Sequence, residues 1–129
     1  SINHPPLLAR AKLDLGSLTA KNGDEAGAEA LTREAFFLAI RYDLDATASQ
    51  AASALVNLVG ARLARAAEGR AWFEHALGYA EAEGSERLVA DANFHLAAVD
   101  LSDGKFDDAK ARTQRALDIY QRELGEKHE

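Results

Sequence analysis

The chain repeats itself. Ala35, Ala76 and Ala116 are spaced 41 and then 40 residues apart, and Ala28, Gly69 and Ala109 keep the same spacing. Two columns that share one period constrain the fold strongly. A fixed period of this length marks stacked supersecondary units, none of which can bury its apolar face alone. The 129 residues form a single array of three units, at about 5–44, 45–84 and 85–125.

Composition says what each unit is made of. There are 28 alanines, 9 glycines and 2 prolines. Alanine is the best helix former and a poor strand former, so the expected class is all-α, with about six helices in three helix-turn-helix pairs. In the first unit Leu8, Ala11, Leu15 and Leu18 follow helical spacing. Asn22-Gly23-Asp24 interrupts them, with Gly23 suited to a left-handed turn and Asp24 to an N-cap. Ala28, Leu31, Ala35 and Leu38 then share one face of a second helix. The third unit repeats this around the Asp103-Gly104 turn, with Gly125 expected to end its last helix.

The middle unit is less regular. Aligned on Leu58-Val59 as the counterpart of Leu15-Gly16 and Leu96-Ala97, its turn near Arg65-Ala66-Ala67 counts two residues shorter and lacks glycine. Gly69 falls in the small-residue column with Ala28 and Ala109, which fits a close approach of two helices. Two other roles stay open for it, a hinge or the turn itself. Ala46 to Ala66 is nearly uncharged before Arg62, as expected of a helix with neighbours on most sides.

The pairs Leu15-Gly16 and Leu96-Ala97, the turns Gly23-Asp24-Glu25 and Gly104-Lys105-Phe106, and the small residues Ala28, Ala35, Ala109 and Ala116 resemble the tetratricopeptide repeat. The period near 40 is similar to the kinesin-light-chain variety. Leu124-Gly125-Glu126-Lys127-His128 and His4-Pro5 look like the two parts of that variety's junction between repeats. With no methionine at position 1, this suggests a piece of a longer repeat protein. The resemblance departs at Thr32 and Thr113, where the family usually has an aromatic residue that only Phe73 keeps. It implies a right-handed α-α superhelix whose first helices line a concave groove, and a docking platform for a peptide or partner domain without chemistry of its own.

Helical spacing selects the expected groove lining: Arg10, Leu13 and Ser17, then Ser53, Val56 and Gly60, then Asp91, Phe94 and Ala98. Asp14, Asn57 and His95 make a neighbouring polar column. The groove is expected to be apolar. The Lys/Asn/Arg carboxylate clamp of some family members is absent, with Leu13, Val56 and Phe94 in its place. Trp72, His75, Ala76 and Tyr79 form a stripe that fits packing against the next repeat, or an aromatic hot spot.

Chemistry finds little support. Without cysteine there are no thiolate ligands or nucleophiles. The four histidines do not share a unit, and no nucleophile elbow, phosphate loop or zincin motif occurs. No cofactor, metal site or catalytic residue is expected, and the chain is not read as an enzyme. Residues 67–129 carry 14 acids and 8 bases against 7 of each in 1–66, so nucleic acid is not an expected partner. No segment reads as a membrane span or a signal peptide, and the cysteine-free composition fits the cytoplasm. The uncapped last helix, with Ala116, Ile119, Tyr120 and Leu124, is expected to be exposed and to support a homodimer. Two functional readings follow: a protein-binding scaffold, or a regulatory segment of a larger bacterial signalling protein such as a Ser/Thr kinase or transcriptional regulator.

Overall fold

The computed structural model describes residues 4–128, with side chains through Gly125. Of the two segments read as repeat junctions, His4-Pro5 opens the first helix and Leu124–His128 lies inside the last one. Six α-helices follow in order: α1 (Pro5–Lys21), α2 (Glu25–Arg41), α3 (Asp45–Leu55), α4 (Ala66–Glu83), α5 (Glu86–Ser102) and α6 (Phe106–His128). A π-helical segment, Val56–Arg62, continues α3. The described residues contain no strand. Each helix packs on its chain neighbours, and α1, α3 and α5 also touch in sequence, so the first helices of the pairs form one layer. The fold is an all-α stack of three helix pairs.

Local signals start several helices. The His4 Nδ1 accepts a hydrogen bond from Leu7 N at 3.4 Å, with Pro5 and Pro6 filling positions whose N–H groups have no helical partner. Asp24 Oδ1 accepts from Gly27 N at 2.9 Å, and Ser85 Oγ from Leu88 N at 3.1 Å. Within each pair the turn spans three residues, and its second residue is left-handed: Gly23 (φ 92°), Ala64 (φ 57°) and Gly104 (φ 77°).

The middle turn is thus no shorter than the others. The irregularity lies upstream. From N-cap to N-cap the first helix of a pair spans 20 residues between His4 and Asp24, and 21 between Leu44 and Arg65. Ser85 to Lys105 is again 20. The extra residue is taken up by the wider turns of the π-helical segment. Leu63 N, for example, bonds Leu58 O five residues back.

Counting from the helix starts therefore pairs Leu15-Gly16 with Leu55-Val56, not with Leu58-Val59. Leu58-Val59 thus lies three residues out of register with the pair it resembles. Gly69 is not the turn, and its place fits the close approach of two helices. It lies inside α4, and a Cβ placed on it would sit 2.4 Å from the Gly60 Cα. Gly125 does not end α6, which continues to His128.

The main core is centred on the middle pair, where Leu55, Val56 and Val59 are fully buried among residues of α2, α4 and α5. Ser49 Oγ donates to the Ala76 carbonyl at 2.9 Å and ties α3 to α4. Phe36 of α2 meets Trp72, His75 and Tyr79 of α4 edge-on, with centroids 5.0, 5.7 and 5.8 Å away. The α4 stripe thus packs against the preceding pair, not the next one. Asp100, fully buried in α5, joins the last three helices: Arg70 Nη2 of α4 lies 2.8 Å from its Oδ1, and Arg112 Nε of α6 donates to its Oδ2 at 2.9 Å.

Candidate binding cleft

The layer of first helices encloses a cleft of about 400 Å³ between α1 and α3, closed at its far side by His95 of α5. The corrected register explains which side chains reach it. A residue on α1 has its counterpart 40 positions later on α3 or at the start of the π-helical segment, and 81 positions later on α5. The columns are then Arg10, Gln50 and Asp91; Leu13, Ser53 and Phe94; Asp14, Ala54 and His95; Ser17, Asn57 and Ala98.

Three of the residues expected to line the groove, Arg10, Leu13 and Ser17, meet in this cleft, together with all three of the polar column, Asp14, Asn57 and His95. Val56 and Ser53 do not. Val56 falls on the concave side only through the three-residue slip and lies in the main core, whereas Ser53 keeps the column of Leu13 in the corrected register but is buried and does not reach the cleft. Gln50, Ala54 and Leu58 line the wall in their place. The helix starts at Pro5, Asp45 and Glu86, spaced 40 and 41 residues apart, carry the signal that finds them. Asp91 accepts a short hydrogen bond from the Tyr120 hydroxyl, so its carboxylate is engaged between α5 and α6. Phe94 and Ala98 do not line the cleft; Phe94 stands exposed.

The cleft is less apolar than its sequence suggested. Leu13, Ala20, Ala54 and Leu58 form apolar ground, while Arg10, Lys21, Arg62, Gln50 and Asn57 bring polar groups. Arg10 Nη1 donates to Gln50 Oε1 at 2.9 Å, and its Nε lies 3.3 Å from Asp14 Oδ1. Arg62 Nη2 is 3.2 Å from both Glu25 Oε1 and the Ala20 carbonyl, crossing between the first and second pairs. Burial lowers the His95 pKa below its ordinary 6.5, against the opposing pull of Asp91. Its imidazole is therefore neutral near pH 7.

The expected exposed surface on α6 is also redistributed. Ala116 and Ile119 are buried with Ala90 of α5, and Tyr120 packs against them. These residues form the face that α6 turns to its own partner helix. Leu124 does stand exposed, together with Leu117 and Phe106.

No family model, no curated protein and no solved structure matches this chain. Among the described residues, no three His, Asp or Glu side chains gather as a metal site, and no helix is long and apolar enough to cross a membrane.

Proposed function

We propose that the chain is a tetratricopeptide-like interaction module that works in the cytoplasm and binds a peptide or partner segment in the cleft between α1 and α3. The observation that carries this reading is the π-helical segment. Its extra residue lets both Asn57 and Leu58 face the cleft, one polar and one apolar, beside the Arg10–Gln50 pair. Such segments recur at functional sites because they sacrifice helical regularity to aim side chains. A cleft with apolar ground and a rim of amides and guanidinium groups suits a segment with an apolar anchor and polar or acidic flanks.

A displayed library of short peptides, panned against the chain, tests this. Enriched peptides are expected to lose about tenfold in affinity, or about 1.4 kcal/mol, to Asn57→Ala and to Gln50→Ala. Fluorescence anisotropy reads the change. Peptides that bind both variants as tightly as the parent, or a library that yields no binder, would remove the cleft as the site.

A further inference from the structure

The repeat equivalence shows what the two ends of the stack are shaped to meet. Between the first and second pairs, Leu13 of α1 and Phe36 of α2 are the large apolar side chains turned to the next pair, and they are 9% and 3% exposed. Their counterparts in the third pair, 81 residues later, are Phe94 and Leu117, 53% and 44% exposed. The positions that bury one pair against the next are thus filled with apolar residues at the end of the stack and left uncovered. Leu101 and Leu124, one heptad beyond each, are exposed as well and lengthen the two stripes.

The opposite end carries the receiving side. In the second pair, Ala48 and Ala52 of α3 belong to the core built against the first pair, and Tyr79 of α4 meets Phe36. Their counterparts in the first pair are Leu8, Lys12 and Leu38. These three line an open groove of about 740 Å³ along α1 and α2. The groove's apolar wall also includes Phe37, itself exposed.

We infer that the end of one copy, through Phe94 and Leu117, docks into the Leu8–Leu38 groove at the start of a second copy. The contact continues the stacking that joins pairs within one chain. Charge favours opposite ends over like ends. The first pair, 5–41, holds five acids and five bases, whereas residues 86–125 hold eight acids and six bases. Two third pairs facing each other repel, and a third pair facing a first pair does not. The contact joins two different surfaces, so association proceeds into open chains of copies.

Sedimentation velocity over a concentration series tests the inference, with Leu117→Glu and Leu8→Glu as probes. Both side chains are exposed, and circular dichroism checks that both variants stay helical. The parent chain is expected to grow in mass with concentration, past the dimer. Each variant alone is expected to associate about tenfold more weakly or worse. Mixed together, the two variants are expected to form a 1:1 dimer that grows no further, because one keeps the groove and the other keeps the apolar end. A parent that stays monomeric, a single variant that associates alone as tightly as the parent, or a mixture that fails to pair would each overturn it.

Discussion

In the first and third pairs, side chains mark where helices begin: His4, Asp24 and Ser85 each accept a hydrogen bond from the first helical turn. In the middle pair, Leu44 and Arg65 occupy the same cap positions and make no such bond. The middle turn bends through an alanine where its neighbours use glycine, and its first helix carries one residue too many for regular α geometry. Yet this pair supplies the bulkiest fully buried apolar side chains of the main core, Leu55, Val56 and Val59, with Val99 of α5 beside them. The difference separates two ways of specifying a helix. The outer pairs are written largely in local signals, each worth about 1 kcal/mol. The middle pair is held by burial against neighbours on both sides, which outweighs the missing caps and the left-handed alanine.

The largest expected effect comes from challenging that burial. Gly69→Ala gains about 1 kcal/mol of helix propensity, but its Cβ would meet the Gly60 backbone at 2.4 Å. Backbone cannot rotate away as a side chain can, so the clash wins, with a net loss of about 2–3 kcal/mol in denaturant unfolding. Ala28→Gly, in the same column of the first pair, costs the propensity and one buried methyl without any clash, together about 1–2 kcal/mol. Equal losses at the two positions would erase the distinction between the pairs.

A smaller effect of opposite sign tests the turns. Ala64 holds φ 57°, where a Cβ is unfavourable, so Ala64→Gly is expected to raise stability by about 1 kcal/mol. Gly104→Ala is expected to lower it by a similar amount. Thermal melts of the two variants should move in opposite directions. A destabilised Ala64→Gly chain would mean that the alanine methyl is needed in the turn.

The smallest effect follows from His95, which shares a column with Asp14 and with the alanine at position 54. Its folded pKa lies below 6.5 because of burial, so below 6.5 the unfolded chain binds more protons than the folded one. The contribution of the neutral imidazole is complete above that pH and is lost as pH falls towards the folded pKa. The slope in this window is at most about 1.4 kcal/mol per pH unit. Urea titrations on either side of 6.5 should show it in the parent and not in His95→Gln. A variant with the same pH profile as the parent would assign the loss to other groups.

The contrast between pairs also explains what could be read from the sequence. The alanine columns of the second helices fix the number of pairs and their order, because close helix approach leaves no alternative to a small side chain. Leu15-Gly16 and Leu96-Ala97 read correctly for the same reason. Leu58-Val59 imitates them three residues out of register, and no residue type announces a π-helical turn, so Val56 reads as groove lining although it belongs to the core. The cleft was legible along α1, at Arg10, Leu13 and Ser17, where caps and prolines anchor the count. On the facing wall it was legible only at Asn57, in the π-helical segment. The Ala116–Ile119 face was misplaced for a different reason. Periodicity identifies an apolar stripe but not whether the partner helix lies before or after it.

The π-helical segment has a consequence for how such an array changes over generations. Inserting one residue into a regular helix rotates everything downstream by about 100° and would aim the rest of the protein the wrong way. Here the surplus is absorbed within seven residues, and α4 still delivers Gly69 to its place against Gly60. A gene encoding this architecture can gain or lose a single codon inside a helix without shifting the frame in which the later units are stacked. Its periodic record then drifts between 40 and 41 while the shape it encodes is inherited intact.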